Sequence, residues 1–304
     1  MGYKIVYMGT PLYAKEILKT LIDAEDMNVS LVLTQPDRPV GRKKILTPPP
    51  VKALAQDYGI EVLQPNRLSE EGIEEAIKIQ EPDFIIVAAF GQILPQSVLD
   101  IAPCINLHAS LLPQYRGASP VQQSLLNGDE KTGVTSMLME AGLDTGPILE
   151  KIEFAIPKEM RLFALMDQLT KDACILTLST VRNFGKIVPE PQNESLATLC
   201  KKIKKSDGEI AFEDAEIIYN KYRAFEGWPG IFASNGTKFD AVSLVEDNHI
   251  HKAGEILSYE EESVIVGCTK GALKIGILQP ASKKAMTAKA YSVGRGKKIG
   301  DFIL

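Results

Sequence analysis

The run FIIVAA at 84–89 is apolar at every position, and a strand without a polar side must be covered on both faces. Fully covered strands of this kind belong to parallel sheets with helices above and below. The surrounding segments fit that demand. YKIVYM, VSLVL and FIIVAAF are short apolar runs, while YAKEILKTLIDA, PVKALAQDYG and a stretch over 69–80 between them carry helical amphipathic spacing. Such alternation predicts an α/β domain. Further strands at 133–139 and 149–156 would complete it, with a helix over 162–184 that sets Leu165, Leu169, Leu176, Val181 and Phe184 along one side.

The pattern then changes. GKIVPEPQN at 185–193 has two prolines and little apolar periodicity, which predicts a linker. After GEIAF and a helix over 214–226, the short runs KFDAVSLV, AGEILSY, SVIVGC and ALKIGIL alternate with turn residues, the pattern of a small β-barrel of oligonucleotide-binding type. The expected organisation is an α/β domain over 1–184, a linker over 185–205 and an OB-type domain over 206–304. With 304 residues, 45% of them hydrophobic and 24% charged, both domains can bury a core.

Several function classes are excluded early. The first strand runs into MGTPLYAKEIL, where Gly9 stands alone although a dinucleotide-binding turn needs three glycines. The chain has neither a phosphate-binding G-x-x-x-x-G-K-[ST] loop nor a G-x-S-x-G elbow. Cys104, Cys174, Cys200 and Cys268 are widely spaced, so neither a zinc site nor a disulfide framework is expected. His249 and His251 lie on one face, but a metal site is not expected there. No apolar run is long enough for a membrane span and the N-terminus lacks the flanks of a signal peptide, so a cytoplasmic protein is expected. The net charge of −5 divides into −7 over 1–200 and +2 over 201–304. Any nucleic-acid surface must therefore be local, at RPVGRKK, KKIKK or GRGKK.

One group carries chemistry. Asn106 and His108 are two residues apart, so on a strand they project to one side, and SLLP ends that strand just beyond them. A rim position is expected for both. Asp144 follows in the GLDTGP loop. Singly, these would be turn formers and a hydrogen-bonded strand-end histidine. Together they are the types that acyl transfer to an amine requires: an amide N–H for a developing oxyanion, an imidazole to move the amine proton, and a carboxylate to control that imidazole. Cys104, in the apolar setting IAPCI, is expected to be a packed thiol.

The segment NLHASLLPQYRGASPVQQSLLNGDEKTGVTSMLMEAGLDTGPIL resembles the signature region of the folate-dependent formyltransferases. That resemblance implies an N-terminal Rossmann-like domain that binds 10-formyltetrahydrofolate, with Asn106, His108 and Asp144 at the catalytic positions. It implies that Ser110, Leu111, Leu112 and Pro113 line the folate site, and that the backbone around Phe90, Gly91, Gln92, Ile93 and Leu94 in AAFGQILP faces the folate ring. TQPDRPVGRKKILTPPPVKALA at 34–55 resembles the loop by which one branch approaches a tRNA acceptor stem, with Arg42 at the key arginine. Arg38, Arg42, Lys43 and Lys44 would then meet phosphates and base edges. KKIKKSDGEIAF resembles the junction to the C-terminal domain, where Lys201, Lys202, Lys204 and Lys205 would meet tRNA backbone. RAFEGWPGIFA and ILQPASKKAMTAKAYSVGRGKKIG extend the resemblance through that domain; Trp228 is expected in its core. The implied reaction is formyl transfer to the α-amino group of methionyl-initiator tRNA, without metal and without a stable protein partner. Alternatives within the family are an amino-sugar formyltransferase and a formyl-folate hydrolase; outside it stands a non-catalytic RNA-binding protein on the same scaffold.

Overall fold

The structure, a computed structural model, describes residues 2–41, 43–247 and 249–304. In chain order the first elements are β1 (Tyr3–Gly9), α1 (Leu12–Asp23), β2 (Met27–Leu33), β3 (Arg38–Val40), β4 (Ile45–Thr47), α2 (Pro50–Asp57), β5 (Glu61–Leu63), α3 (Ile73–Ile79), β6 (Phe84–Ala88), α4 (Gln96–Leu99) and β7 (Cys104–His108). They are followed by β8 (Arg116–Gly117), α5 (Pro120–Leu126), β9 (Lys131–Leu138), β10 (Ile148–Ala155), α6 (Leu162–Asn183) and β11 (Leu199–Cys200). The main sheet has the order β10-β9-β7-β6-β1-β2-β5. Its β7-β6-β1-β2-β5 part is parallel, as the alternating pattern predicts. β9 and β10 are antiparallel additions, so the sheet is mixed. For β10 the cause is the connection: residues 139–147, which follow β9, leave no room for the helical crossover that a parallel return requires.

All five residues of β6 are buried, as their continuous apolarity demands. One face meets Tyr13, Ala14, Ile17, Leu18 and Leu21 of α1, all buried. Val6, Met8, Leu31, Leu33, Ile85 and Val87 pack with Ile77 of α3 and Val98 of α4 in a second apolar cluster. α6 buries Leu165, Leu169, Leu176 and Val181, and its end sets Phe184 edge-on to Phe84 at 5.0 Å.

Two expectations are corrected here. The loop over 34–47 contains a hairpin, β3 against β4, paired Arg38 with Thr47 and Val40 with Ile45. Both strands are exposed throughout, so they lack the buried face that makes alternation visible. The second correction concerns 185–205. The chain divides into two compact units, and the first extends to Cys200. Residues 190–200 form a strap in which Glu190 bridges Ile148 and β11 pairs in parallel with β8. Backbone and polar side chains hold this strap, so its composition resembles that of a linker.

The second unit comprises 121–130, 156–165 and 201–304. It contains α7 (Ala215–Ala224), β12 (Ile231–Phe232), β13 (Lys238–Val245), β14 (Ile256–Glu260), β15 (Ser263–Gly267), β16 (Ala272–Gln279), β17 (Met286–Thr287) and α8 (Ala288–Val293). The Asp214 carboxylate caps α7 by accepting from the backbone N–H groups of Glu216 and Ile217. The strands form an antiparallel sheet of order β12-β13-β16-β15-β14, with β17 on β16. Trp228 is not a core residue; it is 57% exposed. Gly227 and Gly230 take positive φ in a turn that buries Phe225 and Ile231 on either side and leaves the indole at the tip. Among the described residues no helix is long and apolar enough to cross a membrane.

Candidate active site

β7 carries the proposed amide and imidazole to the carboxyl end of the parallel strands, the edge where open α/β sheets bind ligands. Asn106 and His108 are 9% and 6% exposed, so they are sunk beneath the edge and not on an open rim. The loop between β9 and β10 brings in the carboxylate. Asp144 Oδ1 accepts from Asn106 Nδ2 at 3.4 Å, and Asp144 Oδ2 lies 3.7 Å from His108 Nδ1. A separation of 38 residues in sequence is closed by the antiparallel pairing of β9 with β7, which delivers the β9–β10 loop beside Asn106.

Three backbone features, invisible in the sequence, set how this group works. His108 Nε2 is 2.9 Å from the carbonyl oxygen of Tyr115. A carbonyl only accepts, so Nε2 carries the proton and Nδ1 of the neutral ring presents its lone pair toward Asp144. The Gly117 backbone N–H donates to Asp144 Oδ2 at 2.9 Å, fixing the carboxylate from the other side. Asp144 itself has φ of +54°, in the left-handed region, so its placement needs support from its neighbours.

Gly117 also marks the strap's closest approach. At its φ of +123° an added Cβ would lie 2.3 Å from the Cys200 carbonyl oxygen. The guanidinium of Arg116, almost fully buried, pairs with Glu194 at 2.7 Å and donates to Gln192 Oε1. Glu194, held by that guanidinium, has its carboxyl lowered from the usual range. Gln192 in turn donates to the carbonyls of Asp144 and Gly146. Cys200 Sγ donates to the Tyr115 carbonyl and accepts from the Ser119 N–H.

The SLLP segment is held from below. Thr135, fully buried on β9, donates from Oγ1 to the Ser110 carbonyl at 2.7 Å and accepts from the Leu112 N–H at 3.1 Å. Ser110 and Leu112 are themselves buried, and Leu112 packs with Met137 and Ile148. Only Leu111 and Pro113 of this segment retain partial exposure. In the 88–95 loop Phe90 and Leu94 are buried and Ile93 is 83% exposed. The Phe90 carbonyl accepts from Thr10 Oγ1 and Gln35 Nε2, each at 3.2 Å, which ties together the ends of β1, β2 and β6. Gln92 turns its side chain away, accepting from the Leu68 N–H and donating to the Pro65 carbonyl.

The basic candidates lie elsewhere. Arg38, Lys43 and Lys44 are exposed on the hairpin; Arg42 lies outside the described residues. Lys201, Lys202, Lys204 and Lys205 are exposed in the second unit. Burial pushes the Cys104 thiol up to about 12, consistent with a packed, unreactive role. Asp247 accepts from ring nitrogens of both His249 and His251, at 2.7 and 2.9 Å. Among the described residues no three His, Cys, Asp or Glu side chains group to hold a metal ion.

Residues 3–181 match the family described as Formyl transferase, and residues 202–296 match Formyl transferase, C-terminal domain. The chain is 84% identical, over the full length of both proteins, to the methionyl-tRNA formyltransferase of Sulfurovum sp. (strain NBC37-1). It is 52% identical to the methionyl-tRNA formyltransferase of Campylobacter lari, with 98% of each covered. Among solved structures, the fold is similar to an N-formyltransferase from Helicobacter canadensis in complex with folinic acid and dTDP-3-aminofucose, at TM-score 0.68 and 18% identity. That match covers 90% of this chain and 98% of the other. HypX from Aquifex aeolicus in complex with tetrahydrofolic acid matches at TM-score 0.60 and 17% identity, over 97% of this chain and 47% of that one. Two family matches that together span both units, and relatives identical at half or more of their positions, lead to one conclusion: this chain belongs to the formyl transferase family.

Proposed function

We propose that the protein transfers the formyl group of 10-formyltetrahydrofolate to the α-amino group of methionyl-initiator tRNA. The observation that carries this chemistry is the convergence of Asn106, His108 and Asp144, with the Tyr115 carbonyl leaving His108 Nδ1 as the basic ring atom. In the proposed reaction the amine nitrogen attacks the formyl carbon and the carbonyl electron pair moves to oxygen. The Asn106 amide has a second N–H, beyond the one directed at Asp144, to donate to that oxyanion. His108 Nδ1 takes the proton of the attacking amine, and Asp144 stabilises the resulting imidazolium. Collapse breaks the bond to the folate nitrogen, which receives the proton back from His108. No residue changes its net charge over the cycle.

In this proposal the exposed backbone at Gly91 and Ile93, together with Leu111 and Pro113, lines the donor site; Phe90, Leu94, Ser110 and Leu112 shape it from within, and Gln92 anchors the loop. Arg38, Arg42, Lys43 and Lys44 contact the acceptor stem, and Lys201, Lys202, Lys204 and Lys205 contact tRNA backbone. The full-length relatives at 84% and 52% identity favour this acceptor over an amino sugar. The test supplies isotopically labelled formyl-folate with charged initiator tRNA, charged elongator tRNA, nucleotide-linked amino sugars, or no acceptor. Label on methionyl-initiator tRNA alone is expected. Preferential labelling of the sugars, or formate release without an amine, would overturn it.

A further inference from the structure

We infer that Gln192, in the strap, is a positioning residue for formyl transfer, acting through Asp144. This rests on the proposed function above. Its amide makes four hydrogen bonds with a single possible orientation. Nε2 faces two carbonyl oxygens, of Asp144 at 2.8 Å and Gly146 at 2.7 Å, which can only accept. Oε1 faces Nε and Nη2 of Arg116, at 3.1 and 2.9 Å, which can only donate. A flipped amide would lose all four.

The two halves of this amide do different work. The Nε2 half grips the backbone on which Asp144 sits at positive φ, a conformation that persists only where neighbours enforce it. The Oε1 half grips Arg116, which lies next to the Gly117 N–H that holds the Asp144 carboxylate. Gln192 thus couples the main chain of Asp144 to the donor that aims its side chain at His108. It touches neither Asn106 nor His108 by any hydrogen bond, so it orients the carboxylate without taking part in the transfer.

Two substitutions separate the halves. Gln192→Glu retains an acceptor for Arg116 but sets a carboxylate against two carbonyls; Gln192→Met keeps the volume and gives up both sides. Expected for both is a kcat lowered by about 10- to 100-fold, the scale of a catalytic group displaced by about 1 Å, with folate KM little changed. Both should lower the unfolding temperature, Gln192→Glu through the repulsion of its carboxylate by two carbonyls and Gln192→Met through the loss of all four hydrogen bonds. The His108 ring signal, one of three histidine signals, should move in the NMR spectrum of both variants. If Gln192→Glu turns over at the wild-type rate, or if folate binding falls in step with kcat in both variants, the inference fails. Should Gln192→Glu not fold, the same kcat and KM split in Gln192→Met decides the matter. Wild-type protein that formylates no charged tRNA would refute the proposed function instead, which keeps the two failures distinct.

Discussion

Thr135→Val removes one hydroxyl and changes almost nothing in shape, yet it should loosen the SLLP segment. The Thr135 hydroxyl is the partner of both the Ser110 carbonyl and the Leu112 N–H, and Ser110, Leu112 and Thr135 are all at most 1% exposed. Valine leaves both backbone groups buried without a partner, at a cost of about 1–3 kcal/mol each. The added methyl recovers about 0.8 kcal/mol through burial. A net loss of about 3 kcal/mol follows, or a fall of roughly 6–12 °C in the melting temperature of a unit this size. Because Leu111 and Pro113 belong to the same segment, folate KM should rise as well. Thr135→Ser retains the hydroxyl and loses one methyl, so it should restore KM with a stability loss within the about 1.5 kcal/mol of a small core deletion. Differential scanning calorimetry and folate titration of the three proteins provide the check. Valine and serine variants with equal melting temperatures would refute the hydrogen-bond argument, because the hydroxyl would then carry none of the cost.

Other consequences are as concrete. His108→Ala should lower kcat by about two to four orders of magnitude, the scale of a lost general acid or base, in a stopped-flow or radiolabel assay; near wild-type turnover would remove His108 from the mechanism. Gly117→Ala places a Cβ 2.3 Å from the Cys200 carbonyl oxygen at a φ of +123°, so it should displace the strap, lower the melting temperature and reduce kcat together. Unchanged values for both would mean that the strap does not depend on that contact. Asp247 has its carboxyl lowered to about 2, first by the His249 backbone N–H and then by the two histidine rings. Its folded value lies below the ordinary 3.8, so the stabilisation is present above that pH and is lost as pH falls toward 2. Asp247→Asn should therefore reduce the slope of acid unfolding between those limits, followed by the fluorescence of Trp228, the sole tryptophan; an unchanged slope would contradict it.

Elements with a buried side were legible in the sequence. β13 spans 238–245 as its alternation predicts, and α6 ends within a residue of the expected boundary. Exposed or strap-like elements were not, because β3, β4 and β11 have little or no buried face to impose periodicity. Trp228 shows the opposite error: a large aromatic suggests a core, but glycine positions on either side dictated a turn. Within the site, residue types pointed to Asn106, His108 and Asp144, whereas the parts that hold them are backbone groups. The Tyr115 carbonyl and the Gly117 N–H belong to every residue type, so no side-chain pattern announces them. Gln192 lies 48 residues beyond Asp144 in a stretch whose prolines suggested only a tether.

The position of the strap in the chain has a consequence for biosynthesis. Every group that it fastens, from Pro113 to Ile148, is made before it. A nascent chain, or a fragment cut before residue 190, contains the amide, the imidazole and the carboxylate but lacks the segment that keeps the carboxylate in its strained conformation. On the role inferred for Gln192, competence for the proposed reaction is acquired late, when the last part of the first unit has left the ribosome and docked. A proteolytic nick in the strap should silence an otherwise folded sheet.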